Sequence, residues 1–152
     1  MKKLYTVFAV ALMSVLVSAE AFAEVTINEV MAKNGSTLAT ASGVKGIDWV
    51  EIRNTGSAAV DLAGWYLGND PTKNTSKWPR IEGSCVVPAN GYKIVWFDGD
   101  GLCTSWAADE AHVNANISTT AGKHTVFLAD ANGKIVEQIK VSPVIVAPAK
   151  AK

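Results

Sequence analysis

The chain has 152 residues, with 14 basic and 14 acidic side chains, two cysteines and two histidines. A formally neutral chain with no run of Lys or Arg lacks the electrostatic footprint of a nucleic-acid binder, and it lacks the polybasic patch that holds a protein to anionic lipid. Two cysteines and two distant histidines offer no metal-ligand spacing.

Lys2-Lys3 precede an apolar stretch, Leu4–Val17, and Ala21-Phe-Ala23 supplies small residues at a cleavage site. This is the pattern of a secretory signal peptide cut after Ala23. Its run of about 14 apolar residues is short of the roughly 20 that span a bilayer. Residues 1–23 are expected to be removed, leaving no membrane attachment and a product in the periplasm or outside the cell. Loss of Lys2, Lys3 and Glu20 leaves a net charge near −1.

Val25–Ala32 alternates, with Val25, Ile27, Glu29 and Met31 on one face, and reads as a strand. Lys33–Gly46, rich in Gly, Ser, Thr and Ala, reads as a loop. Ile47–Arg53 is a strand with Asp48, Val50 and Ile52 on one side and Ile47, Trp49, Glu51 and Arg53 on the other. Turn residues Asn54–Ser57 separate it from Ala58–Leu62 and Gly64–Leu67. Asp70–Lys77 is a polar loop. In Ser76–Ile81, Pro79 lacks a ladder donor and confines the segment to a sheet edge.

Glu82–Ser84 reads as a turn. Cys85–Ala89 and Tyr92–Asp98 flank Asn90-Gly91, which suits a type I′ hairpin turn and would set Cys85 opposite Trp96. Tyr92–Phe97 is nearly all apolar, as in a central strand. Asp98–Ala111 is a second long irregular region, His112–Ile117 a strand and Ser118–Gly122 a turn. His124–Asp130 and Lys134–Val141 form a second hairpin about Asn132-Gly133. Ser142–Lys152, with Pro143 and Pro148, is expected to be a disordered tail. Short strands punctuated by turns, with no helical stripe, predict an all-β sandwich.

Several pieces carry a family likeness in a fixed order: Ile27-Asn-Glu-Val30, Asp48-Trp-Val-Glu-Ile52, Val60-Asp-Leu62, Gly64-Trp-Tyr-Leu67, Val87-Pro-Ala-Asn-Gly-Tyr92 and Val95-Trp96. Ala121-Gly122, Thr125-Val-Phe-Leu128 and Asp130-Ala-Asn-Gly133 complete it. Together they resemble the lamin tail domain, including the form found in secreted bacterial proteins. The resemblance implies an immunoglobulin-like antiparallel β-sandwich over residues 24–141. It predicts fold better than function, because one fold hosts many functions.

In an exported protein Cys85 and Cys103 are expected to pair, because an oxidising compartment favours disulfides. Such a bridge would stabilise by about 3 kcal/mol. Asp98-Gly-Asp100-Gly101 suggests a calcium loop, but the EF-hand pattern fails, with Cys103 in the glycine position and Asp109 in that of the bidentate Glu. No metal or cofactor is assigned. Neither His112 nor His124 stands in a catalytic motif, so no catalytic residue and no enzyme is predicted.

Trp49, Trp65 and Trp96 lie in predicted strands and read as packing residues between the sheets. Trp78 and Trp106 lie beside or within loops, where an aromatic side chain suits a binding surface. These two tryptophans, with Asp98 and Asp100, are the candidate binding residues. The expected role is contact with a protein or envelope component. The alternative is a carbohydrate-binding module stacking sugars on Trp78, Trp106 and Tyr66. A further alternative is an accessory domain for a separate hydrolase or nuclease.

Overall fold

A computed structural model describes residues 25–118 and 124–141. The predicted leader and tail, and most of the predicted turn at Ser118–Gly122, lie outside the described residues. Among the described residues ten strands are formed: β1 Val25–Met31, β2 Asp48–Asn54, β3 Val60–Asp61, β4 Tyr66–Gly68 and β5 Glu82–Gly83, followed by β6 Val86–Val87, β7 Tyr92–Phe97, β8 Ala111–Val113, β9 Thr125–Ala129 and β10 Ile135–Lys140. The main sheet runs β1-β2-β7-β8-β5, a second runs β10-β9-β4, and β3-β6 form a short ribbon. The fold is an all-β immunoglobulin-like sandwich.

Alternation along β2 and β7 decides which residues meet between the layers. Val50, Ile52, Val95 and Phe97 point inward and join Leu67, Val126 and Leu128 of the second sheet in the principal core. The strand β7 is central, bonded to β2 on one side and β8 on the other, as its apolar sequence requires. In β1 the expected single face is broken. The register shifts between Ile27 and Glu29, a β-bulge that turns Val30 toward the principal core and Met31 toward the opposite side of the sheet.

Two further expectations are corrected, the hairpin at Asn90-Gly91 and the wholly antiparallel pairing. The chain at Asn90-Gly91 does not close a hairpin: β6 pairs with β3, while β7 pairs with β2 and β8. Asn90 alone takes a positive φ there (52°), with Gly91 N–H donating to Pro88 O at 3.0 Å. A type I′ turn needs positive φ at both central residues, whereas type II needs it only at the third position. The turn therefore passes the chain from the β3-β6 ribbon into the main sheet. Strand β8 runs parallel to β7. A parallel return cannot be made by a tight turn, which is why Asp98–Glu110 must be long. The β9–β10 hairpin forms as expected, about residues 131–133. Asp130 O accepts from Gly133 N–H, Asp130 Oδ1 accepts from the Asn132 and Lys134 amides, and Gly133 alone has positive φ. This is a type I turn closed by a left-handed glycine.

Pro79 does lie at an edge. Its carbonyl accepts from Leu67 N–H and Ile81 N–H donates to Trp65 O, so the segment skirts β4 after a short 3₁₀ turn, Thr75–Lys77. Glu82 and Gly83 form β5 against β8 instead of a turn.

The two cysteines are free thiols, so the expected disulfide is not made. Cys85 lies in the principal core with Val50 and Val95, and Cys103 packs against Trp49 and Trp96 on the other side of the main sheet. Two sulfurs in different clusters, with a sheet between, cannot meet the close Cα approach that a bridge demands.

Candidate functional site

Strand register lines up one residue from each strand across the main sheet. Met31 lies opposite Trp49, Trp49 opposite Trp96, Trp96 opposite His112, and His112 opposite Glu82. These residues face away from the principal core. Trp49 and Trp96 are nonetheless buried, with Ile47 and Cys103, in a second apolar cluster. Both tryptophans were expected between the sheets; they pack instead beneath the two long loops. Trp65 does contact the principal core, half-buried.

The loops form a roof. In the first, Asn34 is 2% exposed and uses its whole amide. Its Nδ2 donates to Leu38 O (3.0 Å) and Ile47 O (2.9 Å), and its Oδ1 accepts from the Thr37 and Leu38 amides. In the second, the Asp98 carboxylate takes Leu102 N–H on one oxygen (2.7 Å) and Cys103 N–H on the other (2.9 Å). Glu110 joins the two, accepting from Ala41 N–H at 2.7 Å and from Ala107 N–H at 3.0 Å. Ser42 Oγ meets Cys103 Sγ at 3.6 Å. Trp106 is half-buried and lies flat on His112, with ring centroids 4.3 Å apart and 16° between planes.

Asp98 is therefore a loop-closing residue. With Asp48, Asp100, Leu102 and Asn116 it lines a half-open cavity of about 130 Å³ at one end of the main sheet. Asp100 is exposed and accepts from Asn116 Nδ2 at 2.8 Å. Burial pushes the Asp48 carboxyl up from its ordinary value and the charge of Asp100 adds to this, while the Asn34, Lys33 and Ile117 amides oppose it. Among the described residues no three His, Cys, Asp or Glu side chains are grouped to hold a metal ion.

The structure separates Trp78 from Trp106. Trp78 is 9% exposed and packs on the outer side of the second sheet, its indole 4.6 Å from Phe127 and 5.8 Å from Tyr66. Gly68 makes room for this stack: a Cβ there would come within 2.6 Å of the Phe127 ring. Arg80 closes the far side of Tyr66, 4.4 Å above its ring. Neither tryptophan stands free as a stacking platform. The histidines are also apart in role, because His124 Nδ1 accepts from Ser118 N–H at 2.7 Å while His112 lies under Trp106.

Sequence reasoning missed the buried asparagines. Asn34 organises the first loop, and Asn54, fully buried, donates to Ala58 O and Val87 O and accepts from Gly56 N–H. Asn followed within two residues by Gly occurs four times in the chain, at Asn34, Asn54, Asn90 and Asn132, and marks turns without saying which asparagine is buried.

A two-layered sandwich with its longest loops pinned across one sheet is an immunoglobulin-like structural domain. The chain belongs to the lamin tail domain family: the family model matches residues 18–143. No curated protein matches it.

Proposed function

We propose that the protein is an exported, non-catalytic lamin-tail module that binds a protein partner in the cell envelope or outside the cell. The observation that supports this reading is the presentation of Leu102. The side chain is 54% exposed, on a loop whose backbone amides are held by Asp98, beside exposed Asp100. An apolar side chain held outward on a pinned loop, rimmed by carboxylate, has the form of a small interface anchor, because a preorganised loop loses less entropy on binding. It suits a partner with an apolar pocket and basic rim.

The β1/β10 edge is a poorer docking place. Glu137 of β10 reaches across to accept from Ile27 N–H of β1. A register shift between Ile135 and Glu137 also interrupts the ladder. An inward carboxylate and a bulge are both devices that discourage strand addition.

Leu102→Asp tests the reading. Pull-down from the native envelope fraction should lose its specific partner with this variant and keep it with Val86→Asp, which alters an exposed valine on the β3-β6 ribbon. Equal capture by both variants would remove the loop as the contact.

A further inference from the structure

The overall charge balance hides an uneven distribution. On the outer side of the second sheet and the loops beside it, Lys73, Lys77, Arg80, Lys134 and Lys140 are all exposed. On the other layer, Glu29, Glu51, Glu82, Asp100 and Asp109 stand on the main sheet or its roof, mixed there with Lys33, Lys45, Arg53 and Lys93. The carboxylates near the basic side are already engaged. Asp130 holds its own hairpin turn. Asp70 accepts from Thr72 N–H at 3.0 Å and Thr72 Oγ1 at 2.6 Å, and that hydroxyl above all draws its carboxyl below the usual value.

Within this basic side is a second cavity of about 130 Å³, lined by Asn69, Asp70, Lys73, Lys77 and Asn114 over Trp78 and Pro79. The cavity is open on one side, so a ligand larger than it can enter in part. Its walls carry two ammonium groups, the Asp70 carboxylate, which Thr72 keeps ionised, and two side-chain amides, of which Asn69 already donates to Asn116 O. The two lysines outnumber the one carboxylate. Ammonium groups pair with a carboxylate as point charges, and amides can both donate to and accept from hydroxyls. Trp78 is 9% exposed, packed against Tyr66 and Phe127, so a planar base finds no open ring here to stack on.

We infer that this pocket is a binding site for a carboxylated sugar unit of an acidic polysaccharide. Lys73 and Lys77 take the carboxylate, the Asn69 and Asn114 amides take ring hydroxyls, and Arg80, Lys134 and Lys140 hold neighbouring acidic units along the same side. The pocket neighbours the Leu102 loop, because Asn69 Nδ2 donates to Asn116 O at 2.7 Å and Asn116 Nδ2 to Asp100 at 2.8 Å, but Leu102 itself does not line it.

Affinity electrophoresis in native gels tests this with polygalacturonate, neutral dextran and single-stranded oligothymidylate as probes. The protein should be retarded by polygalacturonate and by neither of the others. The Lys73→Ala/Lys77→Ala double variant should lose the retardation, and Asn114→Ala should weaken it at least threefold. Lys45→Ala, an exposed lysine on the roof over the main sheet, should leave it unchanged. All these substitutions are at exposed positions, so folding is spared. Retardation by dextran would remove the carboxylate from the argument, and equal retardation by oligothymidylate would reduce it to undirected charge. Equal weakening by Lys45→Ala, or full retention in the double variant, would dismiss the pocket. Leu102→Asp should not affect retardation, so failure here and failure of the protein-contact reading are told apart.

Discussion

The Glu110 carboxylate accepts the backbone amide of Ala41 at 2.7 Å, joining two loops that lie 69 residues apart in the chain. Its other oxygen serves Ala107 in its own loop. One side chain thus fastens the roof over Trp49 and Trp96. Glu110→Ala should lower stability by about 1 kcal/mol, the scale of hydrogen bonds to a partly exposed charged group. It should also raise acrylamide quenching of tryptophan fluorescence. Unchanged quenching would mean that the roof is held by its apolar contacts alone.

Asn34 makes a stronger demand. Its amide is buried and fully used, so Asn34→Ala strands the carbonyls of Leu38 and Ile47 and the amide of Thr37. A loss of about 2–3 kcal/mol is expected, since each buried polar group left unpaired costs about 1–3 kcal/mol. Urea denaturation should show it as a lower midpoint with unchanged slope. The exposed Asn132→Ala is the comparison and should cost far less.

Asp48 sets a pH dependence. Its folded carboxyl is raised above the unfolded value, chiefly by burial. The native state then binds a proton more readily than the unfolded chain, so the ionised group is a liability at neutral pH that fades as pH falls through its folded value. Asp48→Asn keeps one acceptor for the Asn34 amide. It should raise the melting temperature by a degree or two near neutral pH, and the advantage should vanish toward about pH 4, the carboxylate range. A difference independent of pH would show that lost hydrogen bonds outweigh the charge.

The thiols should be quiet in the native protein. Cys85 is fully buried and its thiol is pushed up to about 12, first by desolvation. The thiolate is the reactive form, so alkylation of Cys85 should be undetectable until the protein unfolds. Reducing and non-reducing gels should give the same mobility. A native chain with one internal cross-link would contradict the separate clusters.

Trp78→Ala should cost about 3–5 kcal/mol, the usual range for emptying a buried aromatic site. Trp78→Phe should cost much less, because the Nε1–H of Trp78 is buried with no hydrogen-bond partner among the described residues. Thermal melts of the two variants would separate packing from polar cost.

Much of the sandwich was legible from alternation. That Val50 and Ile52 share one side of β2 and Trp49 takes the other follows from side chains changing sides at every residue, and the central position of β7 from its nearly all-apolar sequence; both are properties local to the strand. Turn chemistry was half legible: Asn90-Gly91 and Asn132-Gly133 both announce reversals, but which of the two residues goes left-handed depends on what the flanking segments pair with. Local sequence thus determined most of the strands, the alternation within them, and the family they spell out in order. Only the tertiary structure decided that β8 returns parallel, that the long loops lie down on Trp49 and Trp96, that the cysteines fall on opposite sides of a sheet, and that Trp78 is enclosed by Tyr66 and Phe127. The reason is physical. Alternation says that a side chain has a side, while what covers that side is set by contacts between residues tens of positions apart.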